Sequence, residues 1–215
     1  MIVRKPLRVH VIPIGLDYDR IVNGLHHYGV DRIYLMRGHK KHPVERVVQN
    51  YVDRLRKTFL PLHSGNNIIE KHIDIFSPAS ICKAIFDIMD KEKDNELYFC
   101  TSSSTKLVNT YLLFAVWGRG TRMKYTPKIY YVNPAEYVHE QIMKIANDAN
   151  RVLTDAGKGR IRAKEQLDIL RRLNEQVKTL FEDGMSKGLS DNPFYEVPFA
   201  KIQLPSEEVH DRSRE

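Results

Sequence analysis

LRVHVIPIGLDYDR, residues 7–20, changes its periodicity halfway along. Val9, Val11 and Ile12 stand in a β-branched run over Leu7–Ile14, Gly15 interrupts it, and a helix is predicted from Asp17 to about Tyr28. The same pattern of strand, turn and helix recurs along the chain. A second strand over Arg32–Met36 ends in a basic loop at 37–43, after which Val44, Val47, Val48, Tyr51, Val52 and Leu55 repeat at helical spacing. Gly65, Asn66 and Asn67 precede a third strand, Ile68–Phe76; Ser77 and Pro78 then supply an N-cap and a first-turn proline for a helix buried along Ile81, Ile85, Ile88 and Met89. Glu96–Cys100 is a fourth strand, Leu107–Trp117 an apolar helix and Lys128–Val132 a fifth strand. Parallel neighbours need a long crossover, so five strands alternating with four helices predict an α/β fold with a doubly wound, mainly parallel sheet.

After Asn133-Pro134 the pattern becomes purely helical. Val138, Ile142, Ile145, Ala149 and Val152 form one seam, Gly157-Lys158-Gly159 breaks it, and a second helix runs from about Ile161 to Phe181 with Leu167, Leu170, Leu173, Val177 and Leu180 on one stripe. The expected organisation is a ligand-binding domain over 1–136 and a helical hairpin region over 137–215. That region also holds an extended segment at 192–204 and a mobile charged tail from Pro205.

The chain has 215 residues, with 34 Lys and Arg against 27 Asp and Glu for a net charge of +7, a bias that suits a phosphate-bearing partner and equally suits solubility. Cys82 and Cys100 have no metal-ligand spacing and no disulfide framework, which points to a reducing, cytoplasmic setting. The longest apolar run, Tyr111–Trp117, is far shorter than the roughly 20 residues of a membrane span, so no membrane partner is expected.

Ligands of open parallel sheets bind outside the carboxyl ends of the strands, where strand order reverses. With the order 3-2-1-4-5 that point lies between the loops after strands one and four. The first loop, Gly15, Leu16, Asp17, Tyr18, Asp19 and Arg20, has a single glycine where a dinucleotide site has GxGxxG, which argues against NAD, and no cofactor is expected. Asp17 suits a helix cap and Asp19 a first turn; Tyr18 offers a ring to stack on a base, or to pack sideways, and Arg20 a fork for phosphate. The second loop carries Thr101, Ser102, Ser103, Ser104 and Thr105, then Lys106 at a helix start. Hydroxyls, helix amides and a compact cation together suit a phosphate, and alternatively Thr105 and its neighbours are an ordinary cap. His39, after strand two, faces the same side; the histidines form neither an HExxH pair nor a Cys and His cluster, so no metal is expected. No GxSxG elbow is present for conventional hydrolysis.

PIGLDYDRI (13–21), EKHIDIF (70–76), ELYFCTSSSTK (96–106) and KIYYVNPAEY (128–137), in that order, resemble the archaeal CARF-type regulator family, named for its CRISPR-associated Rossmann fold. The resemblance spans about residues 7–137. It implies a Rossmann-like homodimer binding one cyclic oligoadenylate, or a related nucleotide, across its two-fold axis. The dimer would serve as a ligand-responsive regulator of transcription or of CRISPR-linked antiviral defence. It also implies the alternative of a metal-independent ring nuclease, in which Lys106 stabilises developing charge and Ser104 or Tyr18 positions the ribose. Ser104 stands where the family has glycine and Cys100 where it often has asparagine. Family members commonly continue into a winged-helix DNA reader. The ten residues from Ser206 to Glu215 are too few for one. Arg160, Arg162, Lys164, Arg171 and Arg172 on the hairpin therefore carry only a weak, sequence-indifferent expectation of DNA contact. The apolar seam at Ile142, Ile145, Ala149 and Val152 adds to the expectation of a dimer.

Overall fold

β1 (Arg8–Pro13) is apolar on both faces, and a strand of that kind belongs at the centre of a sheet. The computed structural model describes residues 5–38, 45–59, 67–183 and 189–197 and places it there. The further elements are α1 (Tyr18–Tyr28), β2 (Arg32–Arg37), α2 (Glu45–Phe59), β3 (Ile68–His72), α3 (Pro78–Lys91), β4 (Glu96–Cys100), α4 (Lys106–Arg119), β5 (Lys128–Val132), α5 (Val138–Gly157), α6 (Ala163–Asp183) and β6 (Phe194–Val197). The strand order is β3-β2-β1-β4-β5-β6, parallel throughout except for β6, which runs antiparallel to β5 and closes that edge. This is the expected doubly wound sheet, with one strand added from the segment read as extended.

Alternate residues of each strand feed two cores. Ile12, Ile33, Leu35, Tyr98, Tyr130 and Val132 pack under α1 and α2. Val9, Val11, Tyr34, Phe99 and Ile129 pack under α3 and α4. α1 lies close on β5: a β-carbon at Gly24 would come within 2.6 Å of the Tyr130 ring, so only glycine fits there.

β3 is shorter than its sequence suggests. Its apolar alternation continues to Phe76, but the Asp74 carboxylate accepts from the Phe76 amide at 3.0 Å, a local turn that ends the strand at His72 and leaves Phe76 exposed. Ser77 caps α3 as expected, accepting from the Ser80 amide at 3.3 Å. α5 and α6 pack on each other as a hairpin. Among the described residues no helix is long and apolar enough to cross a membrane.

His10 is a fully buried imidazole at the sheet centre. Its Nε2 lies 2.9 Å from the Gly29 carbonyl and its Nδ1 3.0 Å from the Tyr130 hydroxyl, so Nε2 carries the proton and Nδ1 accepts from the phenol. Tyr98 stacks on the ring at 4.9 Å. Burial depresses its pKa to about 4, from the usual 6.5. Below pH 6.5 the unfolded chain takes up a proton that the folded chain refuses, so stability falls as pH drops from 6.5 towards about 4, by up to about 3 kcal/mol. Glu70 and Glu92, held low by their arginine and hydrogen-bond partners despite burial, add losses only below their usual 4.5. Urea midpoints across this window should show the slope in the parent protein and a much flatter line in His10→Gln; equal slopes would remove His10 from the account.

Candidate functional site

The loops after β1 and β4 touch. A β-carbon built on Gly15 would fall 1.4 Å from the Ser103 carbonyl oxygen and 3.4 Å from the Ser104 α-carbon, so the two backbones meet with no space for a side chain. The Ser103 hydroxyl donates to the Pro13 carbonyl at 3.0 Å and locks the contact. The crevice at the strand-order reversal is thus floored by backbone from both loops.

Four of the five hydroxyls in the second loop are engaged within the protein. Thr101 donates through both its amide and its hydroxyl to the Tyr130 carbonyl, at 3.0 and 3.1 Å, and Ser102 accepts from the Val132 amide at 2.7 Å. Thr105 caps α4 by accepting from the Val108 amide at 3.3 Å. Ser102 and Ser103 are buried. The Ser104 hydroxyl and the exposed Lys106 ammonium make no hydrogen bond or ion pair with other described residues, and both sit at the amino end of α4 beside its first-turn amides. The serine-rich stretch is therefore a brace for three strands, and the groups it leaves uncommitted are the Ser104 hydroxyl and the Lys106 ammonium.

The first loop is also divided. Gly15 and Leu16 are half-buried, and the Leu16 carbonyl accepts from the Tyr51 hydroxyl at 3.3 Å. Asp17 sits at the cap position of α1, but its carboxylate accepts from Arg20 Nη1 at 3.1 Å instead of capping the helix. Asp19 occupies the first turn, half-buried.

Of the two alternatives that the sequence left for Tyr18 the structure takes the second, and Arg20 lies differently from its reading. Tyr18 is 5% exposed, with the Arg54 guanidinium 3.9 Å over its ring and Tyr51 at 5.4 Å, so the ring packs sideways and one face is already covered. Arg20, read as a charged loop group, is in the first turn of α1 and 5% exposed. Its Nε donates to the Val132 carbonyl at 2.7 Å and its guanidinium lies 4.4 Å over the Tyr131 ring, which ties α1 to the carboxyl end of β5. Its Nη2 is buried without a hydrogen-bond partner among the described residues. His39 lies outside the described residues.

The end of β5 belongs to this site as well, and function-directed reading of the sequence passed it over. Tyr131 stacks under Arg20, and the Asn133 side chain bonds Tyr137 and Ser190, joining the start of the hairpin to the strand edge. Asn133-Pro134 at a strand end was the available signal. Asn109 is a second omission: its amide donates to the Thr101 carbonyl at 2.9 Å. Burial pushes the Cys100 thiol up, so it stays protonated beneath the crevice and supplies no nucleophile. Among the described residues no cluster of three or more His, Cys, Asp or Glu side chains is placed to hold a metal.

Of the five hairpin cations, Arg160 pairs with Asp155 at 3.6 Å and Arg171 with Asp168 at 3.6 Å. Arg162, Lys164 and Arg172 are exposed and unpaired among the described residues.

A Rossmann-like domain with its crevice at the strand-order reversal is the class these features define. Residues 8–137 match the family model described as HFX_2341_N:-like, N-terminal, and through this domain the chain belongs to that family. Two solved structures are similar. Can2 from Sulfobacillus thermosulfidooxidans, in complex with cyclic tetra-adenylate, is 13% identical with a TM-score of 0.45, over 83% of this chain and 64% of that one. Csm6 from Enterococcus italicus, bound to cyclic hexa-2'-fluoro-hexa-dAMP, is 13% identical with a TM-score of 0.46, over 90% of this chain and 41% of that one. The chain thus spans less than two thirds of either. No curated protein matches the sequence.

The Gly15 contact sets a stability test. Gly15→Ala should cost about 2–3 kcal/mol, because the methyl has to displace the Ser103 backbone. Gly118→Ala, in α4 where nothing lies within 4 Å of the added carbon, should stabilise by about 0.5–1 kcal/mol. Chemical denaturation measures both, and a neutral Gly15→Ala would mean that the loops are not locked together.

Proposed function

We propose that this domain is the sensor half of a dimeric, ligand-responsive regulator, and that it binds a cyclic oligoadenylate in the crevice between the β1 and β4 loops. The observation that carries the reading is the pairing of an exposed Lys106 and a free Ser104 hydroxyl with the amino end of α4, directly above the Gly15–Ser103 contact. Phosphate chemistry fits that combination: helix amides and an ammonium attract the anion, and the Gly15–Ser103 contact holds the two loops together beneath them. The four motifs shared with the CARF-type family narrow the phosphate to a cyclic oligonucleotide.

The dimer is supported by α4, which is apolar on nearly every face. Leu107 and Phe114 are 39% and 60% exposed on the side away from the sheet, with Tyr111 between them. A helix apolar all round has to be covered on both sides. A second copy docked on this ridge brings two α4 amino ends, and two Lys106 side chains, to one shared ligand.

Of the two residues that the ring-nuclease alternative would use to position the ribose, Tyr18 packs inward under Arg54 and only Ser104 is free to do so. In the hairpin, three unpaired cations offer a duplex charge and no base readout.

Cyclic tri-, tetra- and hexa-adenylate serve as probes, with affinity read by calorimetry and integrity by mass spectrometry. The parent protein should retain one ring per two chains without shortening it. Lys106→Ala should weaken binding by about tenfold or more with an unchanged melting temperature, since the side chain is solvent-facing. Arg20→Ala should lower the melting temperature as well, because it removes the α1 to β5 tie. Full affinity in Lys106→Ala would place the ligand elsewhere, and linear products would restore the nuclease reading.

A further inference from the structure

The hairpin leaves the sheet, and the chain returns to it, at a single residue. Asn133 follows β5 directly, and each of its polar groups, backbone and side chain, is spent on one of the two roots. Its side-chain amide donates to the Ser190 hydroxyl at 3.2 Å, and its side-chain oxygen accepts from the Tyr137 hydroxyl. Its backbone amide donates to the Pro193 carbonyl at 2.7 Å, and its carbonyl accepts from the Ser190 amide at 3.3 Å. Tyr137 is the cap residue of α5, and Pro193 immediately precedes β6. Gln141, in the first turn of α5, is buried, whereas beyond that turn α5 and α6 pack chiefly on each other.

The residue before Asn133 is the one that the crevice loops grip. The Val132 amide donates to the Ser102 hydroxyl of the β4 loop, and the Val132 carbonyl accepts from Arg20 Nε in the first turn of α1, both at 2.7 Å. Arg20 pairs in turn with Asp17 of the β1 loop at 3.1 Å. Ser102 and Arg20 are buried, so a shift of the strand end would leave buried polar groups unpaired, which is costly. The peptide unit that joins Val132 to Asn133 is therefore shared: its carbonyl is held from the crevice side by Arg20, and its amide holds the returning root at Pro193. A peptide unit is planar and stiff, so a tilt imposed on its carbonyl is a tilt of its amide.

We propose that this peptide unit is a joint, and that occupation of the crevice sets how firmly the hairpin root is held. The inference rests on the proposed function and adds a regulatory consequence to that same site. An anion bound at Ser104 and Lys106 steadies the β4 loop, in which Ser102 lies two residues before Ser104. Ser102 and Arg20 then hold the end of β5, and the Val132–Asn133 unit carries the restraint to Pro193 and, through Asn133, to Ser190 and Tyr137.

Hydrogen exchange of the Asn133, Gln141 and Ser190 amides, read residue by residue in the labelled full chain with and without saturating cyclic tetra-adenylate, tests this. In the parent protein the ring should slow all three by about fivefold or more. Tyr137→Phe combined with Ser190→Ala removes both side-chain bonds of Asn133. Without ligand the three amides of that variant should exchange faster than in the parent, and the ring should no longer slow them although it still slows the amides around Lys106. Root amides as well protected in the variant as in the parent overturn the joint. A ring that slows the amides around Lys106 in the parent and leaves the root unchanged overturns the coupling. If the ring slows neither, the proposed function fails and the coupling with it, and the ligand-free comparison still decides the joint. Should the double variant lose helix content by circular dichroism, Ser190→Ala alone decides by the same criteria.

Discussion

Between the loop after β1 and the loop after β4 there is no room for a single β-carbon, and this closeness organises the binding end of the molecule. It fixes where α1 begins, because Gly15 stands three residues before Tyr18. It also fixes where α4 begins, because Ser103, which makes the contact, stands two residues before the α4 cap, Thr105. Two helices therefore start at one point above the central strands. The amino end of α4 is left pointing out of the protein beside a lysine and a serine that have no other task.

The polar groups around that point fall into two sets. Arg20, Asp17, Thr101, Ser102, Ser103 and Asn109 turn inward and close the carboxyl ends of β1, β4 and β5 against one another. Ser104, Thr105 and Lys106 turn outward. The inward set braces the point where strand order reverses; under the proposed function a site braced in advance would lower the ordering cost of binding, and the small outward set would hold only part of a large anion, which a second copy would complete. The α4 ridge is the apolar surface that such a pairing would cover.

Much of the sheet was legible in the sequence because parallel α/β structure writes itself twice, as apolar runs and as the helical spacing between them. Strand order, and with it the point of reversal between β1 and β4, followed from general rules on crossovers and reversals. What the sequence concealed was direction. Tyr18 and Arg20 have the chemistry of ligand-binding groups, yet Arg54 and the Val132 carbonyl claim them, and neither partner is near in sequence. The run of hydroxyls concealed its division for the same reason, since Pro13, Tyr130 and Val132 lie on other strands. β3 was overextended because Asp74 bonds its own neighbourhood, an effect that apolar alternation does not record. β6 was read only as extended, because its pairing with β5 depends on a partner more than sixty residues away.

The central claim is that one crevice, at the reversal of strand order, receives the ligand. Amide resonances of the labelled protein, followed during titration with cyclic tetra-adenylate, test it most directly. The account predicts that the largest shifts fall on Gly15 and Leu16 and on Ser104 to Leu107, with the opposite, amino end of the strands around Gly29 and Asn95 unmoved. Shifts centred on the hairpin or on that opposite end would contradict it.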